Sequence, residues 1–443
     1  MSQQTLEQLI SFFADKGVGK IYIKSLASND NSKNQVYFGP GFAAVTLFPM
    51  GNIEPDSDPK NKTFKAPLTF AWIGDDFTLV PSPNAQVILY PSYPEVRFSG
   101  FLKGAKRQQL STVRRLMKSR IPGRLLFLGV SEKSSQIIGG VFDPSSQVAE
   151  EFKLVEKSLP KASEIFWALL PQPNKIAVID TRTSILQELC RIHRLGWINS
   201  KRLDTNGNQI PCNAPQCGGY TLEAELGITP NGRSEPDFLG WEVKQHALSV
   251  ITLMTPEPTG GFYVSNGPEQ FVRRYGYKDQ QGRPDRLNFG GTHFCDQKHQ
   301  RTGLTLTIAG YDGEKNLITN PHGGLELQSE DGSTAASWAF SSILNHWNRK
   351  HRNAVYVPSK HRKQPENQYK FASTVLLCEG TDPLLLVGAI NQGKIFYDPG
   401  IKLENASAAK PTMKRRSQFR VRLKDVKGLY ERASFEDVTS FCD

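Results

Sequence analysis

Four side chains in one short stretch have the types and spacing to do chemistry on a phosphate ester. Glu223 is followed after fourteen positions by Asp237, and Glu242 and Lys244 lie five and seven positions beyond that. Thr221 to Leu226 has helical character and stops at Gly227, a residue suited to ending helices because it takes a positive φ at little cost. The polar run Thr229-Pro230-Asn231-Gly232-Arg233-Ser234 is a loop, and after Pro236 the segment Phe238 to Lys244 is predicted as a short strand bent at Gly240. Alternate residues of a strand share a face, so Glu242 and Lys244 point one way while Val243 turns to the core. Asp237, where that strand begins, can swing its carboxylate to the same side. Two carboxylates and an ammonium crowded together are costly unless something bridges them. Mg²⁺ does so with one or two carboxylates and several retained waters. A lysine beside it orients a water or stabilises charge developing on a phosphate. The set is equipped to hydrolyse a phosphodiester; the bland alternative is four solvated charges on a helix-loop-strand surface.

The frame around these residues resembles a known nuclease pattern. Pro236-Asp237 followed by Glu242-x-Lys244 is similar to the PD-(D/E)xK motif, and Leu222-Glu223-x-x-Leu226-Gly227 narrows the resemblance to the branch of MvaI/BcnI restriction endonucleases and the mismatch-repair nickase MutH. The resemblance implies a metal, Mg²⁺ with Mn²⁺ as a substitute, bound by Asp237, Glu242 and the Val243 carbonyl. Lys244 would position the attacking water, and Glu223 would bind through water or a second metal. It also implies a short CC-x-GG type of target in double-stranded DNA, a 5′-phosphate product, and a monomer that nicks each strand in turn. The chain departs from the pattern by inserting Asn208 to Gln216 ahead of Gly218.

The rest of the chain must position and feed that site. Its 443 residues are enough for two or three domains, and 38% hydrophobic content with 10% aromatics can build ordinary cores. A formal charge of +11 and a pI near 9.2 suit a polyanionic partner. No apolar run of the roughly 18 residues needed for a membrane helix occurs. The start MSQQTLEQLISFF lacks the basic segment and cleavage site of a signal peptide, so a soluble, cytoplasmic protein without membrane association is expected. The six cysteines suggest no disulfide framework. Cys212, Cys217, His293, Cys295 and His299 could form a structural zinc site, but their spacing fits no common zinc motif, and reduced, unrelated thiols are the favoured reading.

Residues 1 to about 15 are predicted as an amphipathic helix with Leu6, Leu9, Ile10 and Phe13 on one face. Short strands follow at Lys20 to Leu26, Val36 to Phe38, Ala43 to Phe48, Leu68 to Trp72, Ala85 to Tyr90, Val96 to Leu102 and Arg124 to Val130, with a basic helix at Thr112 to Lys118. This is a compact barrel-like pattern. Ile21 to Asn31 and Tyr93 to Phe101 resemble parts of the EcoRII N-terminal effector domain, which implies a pseudobarrel that grips the DNA major groove with two loop arms. Lys20, Lys24, Asn29, Asn31, Lys33 and Arg97 are the candidate DNA contacts there. The expected organisation is an all-β-rich pseudobarrel DNA-binding domain over residues 1–150, a linker over 151–172, and an α/β (α+β) PD-(D/E)xK nuclease domain with a mixed central sheet over 173–443.

In that second half Thr183 to Leu195 reads as a helix, Ser249 to Met254 as a strand beside Trp241 to Lys244, and Leu304 to Ala309 as another strand. Trp338 to Trp347 reads as a helix, while Leu384 to Ile390 and Lys394 to Asp398 look like a strand pair. Two basic clusters flank the expected cleft. One holds Arg349, Lys350 and Arg352; the other holds Arg415, Arg416 and Arg420, the candidates for base readout, since arginine reads guanine bidentately. His246, two residues past Lys244, is expected as a phosphate contact or supporting residue rather than a proton shuttle.

The preferred reading is a type II restriction endonuclease whose N-terminal domain binds a second copy of the site as an effector, with a DNA methyltransferase as its genetic partner. A MutH-like nickase or modification-dependent nuclease is the alternative, and a non-cleaving DNA-binding regulator is a third.

Overall fold

A computed structural model describes residues 4–28, 35–131, 133–172, 175–176, 180–229 and 237–442. The protein is a strand-rich mixed α/β molecule of two compact units, residues 1–179 and 180–443. None of the described helices is long and apolar enough to cross a membrane.

In the first unit the helix Leu6–Asp15 starts at a capping box, with the Thr5 hydroxyl accepting from the Gln8 amide at 3.2 Å, and buries Leu6, Leu9, Ile10 and Phe13 as its periodicity predicts. One sheet runs in the order Trp167–Leu169, Lys20–Leu26, Arg124–Ser131, Gln136–Phe142, Thr69–Ile73, Leu79–Pro81. A second runs Gln35–Pro40, Glu95–Ser99, Gln86–Tyr90, Phe64–Pro67, Glu54–Pro55. The expected strand at Ala43 to Phe48 is instead a 3₁₀ helix, Ala43–Leu47.

The expected linker, residues 151–172, is built into this unit. Helix Gln147–Val155 sinks Val148, Ala149 and Phe152 into the core, and Trp167–Leu169 pairs with Ile21–Ile23 at the sheet edge. Burying a side chain such as Val or Phe is worth roughly 1.5–3 kcal/mol, so this segment cannot hang free. A short helix carrying Glu150, Glu151 and Lys153 is expected here and is present; its polar composition hid that its other side is core.

Gly100 sits at a turn where the backbone of another segment approaches closely. It takes φ +68°, and a Cβ there would stand 1.9 Å from the Asn84 carbonyl oxygen, which is fixed backbone. Gly100→Ala should therefore cost at least about 2 kcal/mol. The check is hydrogen exchange in strands Gln86–Tyr90 and Glu95–Ser99, where protection should fall; unchanged protection would contradict the packing described.

The second unit is organised on strand Asn353–Arg362. Strand Glu242–His246 runs parallel to it, while Gln368–Phe371 and Thr374–Glu379 run antiparallel to it and Arg432–Asp437 closes the far edge. The pleat sends alternate residues to two cores. Val355, Val357, Val375, Leu377 and Val243 pack with Ile185, Leu186 and Leu189 of helix Thr181–Arg194 and with Leu222 of helix Cys217–Glu225. Ala354, Tyr356, Leu376 and Cys378 face Ile343 and Trp347 of helix Phe340–Lys350.

Two expectations in this unit are corrected. Strand Val250–Met254 does not lie beside Glu242–His246; it pairs with Phe419–Arg422, which in turn pairs with Ile395–Tyr397. The run Leu384 to Ile390 is a helix, Pro383–Asn391, capped by the Asp382 carboxylate. It is buried almost all round, so its sequence carries no periodicity to separate helix from strand. The thiol reading also changes. Cys190 pairs with Cys442 and Cys212 with Cys217 as disulfides, while Cys295 and Cys378 are free and buried. His293 and His299 stack on each other and share the Thr302 hydroxyl, and among the described residues no three His, Cys, Asp or Glu side chains are grouped to hold a metal.

Candidate active site

Helix Cys217–Glu225 presents Glu223, half-buried, beside the strand that carries the other charges. Leu222 and Ala224, on either side of it in sequence, are buried, so the rotation of the helix is set by its apolar residues. Gly227 ends it at φ +72°, with the Ile228 amide bonded back to the Glu223 carbonyl at 2.9 Å. Residues 230–236, including Pro236 of the motif, lie outside the described residues.

The strand expected from Phe238 begins four residues later. Phe238 and Trp241 exchange backbone hydrogen bonds around Leu239 and Gly240, both at positive φ, which is a tight hairpin turn. Glu242, Val243 and Lys244 follow in extended form. Asp237 folds back over this turn and its Oδ2 accepts from the Val243 amide at 3.0 Å. Amide and carbonyl of one strand residue point to the same side, so the Val243 carbonyl also faces the open edge where Asp237 sits.

Glu242 is 1% exposed, and its Oε1 is 2.5 Å from the Lys244 ammonium. Its Oε2 is buried with no hydrogen-bond partner among the described residues, and the Lys350 ammonium lies 4.0 Å from it. Burial and then the neighbouring Glu242 charge push the Asp237 carboxyl up to about 7. Burial likewise raises Glu223. For Glu242 burial acts upward too, but the Lys244 ammonium, with Lys350, outweighs it and holds the carboxyl below its ordinary value. Lys244 in turn stays protonated because the Glu242 charge outweighs its desolvation. The result is a buried carboxylate with one oxygen unsatisfied among the described residues and the other on the Lys244 ammonium, beside a second carboxyl that gives up its proton reluctantly. A divalent cation brought to this place would satisfy both carboxylates.

Two neighbours of the site were not singled out from the sequence. Lys350, expected in a basic cluster flanking the cleft, ends helix Phe340–Lys350 next to Glu242, and the spacing Trp347-x-x-Lys350 ahead of a strand is the sequence signal that goes with it. His351 is 1% exposed, stacks on Trp347 at 4.1 Å, and is pushed down to about 3 by burial. Its stacking partner Trp347 is only four residues back, but its hydrogen-bond partners Leu253 and Tyr430 lie far away along the chain, so the sequence does not mark its role.

The candidate DNA contacts fare unevenly. His246 lies on the Glu242 and Lys244 face by strand alternation and is half-buried. Arg415 and Arg416 are exposed. Arg420 is tied to Asp398 at 2.7 Å and to the Val250 carbonyl, so it is not a free base reader as expected. Arg352 is half-buried, and the side chain of Arg349 lies outside the described residues. In the first unit Lys20 is half-buried and Arg97 is paired with Glu95 at 2.6 Å. Lys24, expected at the surface, is only 6% exposed because its strand is covered on that side, and it is withdrawn from phosphate contact. Asn29, Asn31 and Lys33 fall outside the described residues.

Residues 186–430 match the profile of the MvaI/BcnI restriction endonuclease family. Two solved structures of restriction endonuclease MvaI are similar. The complex with its cognate DNA substrate is 19% identical with a TM-score of 0.45, covering 58% of this chain and 99% of that one. The DNA-free form is 18% identical with a TM-score of 0.33, covering 58% and 98%. No curated protein sequence matches the chain.

Proposed function

Since the chain belongs to the MvaI/BcnI restriction endonuclease family, we propose that it hydrolyses double-stranded DNA at a short specific site with Asp237, Glu242, Lys244 and Glu223 as its catalytic set. Membership makes it a deoxyribonuclease; the residues, the metal and the target are our reading. The observation that carries this reading is the buried Oε2 of Glu242, without a hydrogen-bond partner among the described residues, beside the raised carboxyl of Asp237. Such a pair is costly in a protein with no cation to bind. The donor set of two carboxylates and a backbone carbonyl is all oxygen, which fits Mg²⁺, with Mn²⁺ as a substitute. Bound there, Mg²⁺ supplies a Lewis acid for a phosphate oxygen and a more acidic water.

The remaining work belongs to the chain's own residues. Asp237, Glu242 and the Val243 carbonyl hold the ion. Lys244, kept charged by Glu242, donates to the attacking water and faces the charge that develops on the phosphate. Glu223 accepts a hydrogen bond from a second water and holds it in place. Exposed Arg415 and Arg416, with His246, contact DNA.

Asp237 must be charged to bind the ion, and its carboxyl titrates at about 7. At subsaturating Mg²⁺, cleavage is therefore full above that pH and falls about tenfold for each pH unit below it. A pH–rate profile checks this; a flat profile from pH 5 to 8 contradicts it.

For the first unit we propose the effector role of an EcoRII-like pseudobarrel, binding a second copy of a CC-x-GG type of site in an enzyme that acts as a monomer. Its standing as a separate compact unit with two strand-rich sheets supports that reading. Plasmids with one and two sites, methylated and unmethylated, distinguish it from a nickase or a modification-dependent enzyme. Equal cutting of one-site and two-site plasmids would end the effector idea.

A further inference from the structure

We propose that a buried chain of hydrogen bonds from Tyr356 through Tyr430 to His351 positions Lys350 and Glu242 for the reaction; this rests on the nuclease reading of the same site. His351 follows Lys350 at the end of helix Phe340–Lys350, with its ring flat on Trp347 at 4.1 Å and 9°. Its Nε2 is 3.3 Å from the Leu253 carbonyl, which can only accept, so the ring proton sits on Nε2 and Nδ1 is left to accept. The Tyr430 hydroxyl, 3.2 Å from Nδ1, is then the donor, and its own oxygen accepts from the Tyr356 hydroxyl at 3.0 Å. Tyr356 is 0% exposed and Tyr430 6%, so water offers these groups little. Buried polar groups are costly unless satisfied, and the chain satisfies them in one direction only.

What the chain joins gives it its purpose. Tyr356 stands in register beside Lys244 on the parallel neighbour of the catalytic strand, and Ala354 stands beside Glu242. Leu253 belongs to strand Val250–Met254, which leaves the catalytic strand after residues 247–249. His351 is covalently next to Lys350, whose ammonium is 4.0 Å from Glu242 Oε2. On the other side of the stack, Trp347 Nε1 donates to Thr381 Oγ1 at 3.1 Å, and that hydroxyl donates to the Leu429 carbonyl. Apolar packing alone would leave the last helical turn free to rotate. Directional bonds to a strand carbonyl and a tyrosine stop it, and they keep Lys350 aimed at Glu242. His351, Tyr430 and Tyr356 are thus positioning residues that touch no substrate.

The test uses the full-length protein, a supercoiled plasmid that the wild type cuts, and a Mg²⁺ titration. Tyr430→Phe removes one hydroxyl and keeps the ring. His351→Phe keeps the stack and loses both hydrogen bonds, and His351→Gln restores a donor towards Leu253. Tyr430→Phe should lower kcat about tenfold with KM for DNA within about twofold, and raise the Mg²⁺ midpoint severalfold, as expected for groups displaced by a fraction of an ångström. His351→Phe should lose more, and His351→Gln should recover part of that loss. Near-UV circular dichroism at the assay temperature reports the folded fraction. Unchanged kcat and Mg²⁺ midpoint in Tyr430→Phe, or a loss that only tracks the folded fraction, overturns the proposal. Should His351→Phe fail to fold, Tyr430→Phe decides alone. A wild type that cuts no DNA at any Mg²⁺ concentration overturns the nuclease reading and this proposal with it, whereas a cutting wild type with unaltered variants overturns only the positioning.

Discussion

Asp237→Asn should give a protein that resists denaturation better than the wild type at pH 8 without Mg²⁺ and cuts DNA at least about 10³-fold more slowly. The two effects share a cause. A carboxyl that titrates at about 7 instead of 3.8 is destabilised in its charged form by up to about 4 kcal/mol. Because its folded value is raised, the native protein binds more protons than the unfolded chain between those two pH values. Stability without metal therefore falls as pH climbs from about 4 to about 7 and levels off above. Asparagine has no charged form, and its side-chain oxygen can still accept from the Val243 amide as Asp237 does. A gain of about 2 kcal/mol at pH 8, shrinking towards pH 5, is a reasonable share of that ceiling after local relaxation. Urea titrations at both pH values, with a plasmid cleavage assay, measure it. An Asp237→Asn protein that is less stable than wild type and still cuts at full speed would remove the electrostatic basis of the site.

Lys244→Met should fail in the opposite sense, losing both stability and activity. Glu242 is 1% exposed and its direct partner is the Lys244 ammonium at 2.5 Å. Removing one member of a buried ion pair leaves an uncompensated charge, which costs about 3–5 kcal/mol. Lys350, at 4.0 Å from the other oxygen, offsets part of this, so a loss of about 3 kcal/mol at pH 8 is expected. The Glu242 carboxyl is held below its ordinary value in the wild type. Its contribution is therefore present above the unfolded carboxylate range and lost as pH falls through the folded value, so the variant and wild type converge on acidification. Cleavage should drop about 10³-fold, since the donor to the attacking water is gone. Adding Mg²⁺ should restore stability more in the variant than in the wild type, yet leave cleavage low. Recovery of cleavage by Mg²⁺ alone would show that Lys244 serves only as a counter-charge.

Much of this was legible along the chain because it depends on neighbours in sequence. The alternation that puts Glu242 and Lys244 on one face, the glycine that ends the Glu223 helix, and the apolar spacing of Leu6, Leu9, Ile10 and Phe13 are all local consequences of backbone geometry. Where locality failed, so did the reading. The Pro383–Asn391 helix is apolar on every side, and the segment around Phe152 looked like a polar tether although one side of it is core. The partner of strand Val250–Met254 lies at Phe419–Arg422, and Cys190 finds Cys442 across a separation of 252 residues. Lys24 and Arg420 carry charge that looked available for DNA, and the folded chain buries the first and pairs the second with Asp398.

The amino-acid order by itself determined the chemical character of the protein: a basic chain with an acidic trio and a lysine at the spacing of a phosphodiesterase, on a helix, a loop and a strand. Only the tertiary structure decided which of its charges stand together and which are spent on each other. It buried one oxygen of Glu242 without a hydrogen-bond partner among the described residues, raised Asp237, brought Lys350 within reach, and buried His351 next to Lys350. The physical reason is that side-chain type and backbone period are properties of a few consecutive residues. Desolvation and Coulomb energy depend on distances and burial that exist only once remote segments have packed.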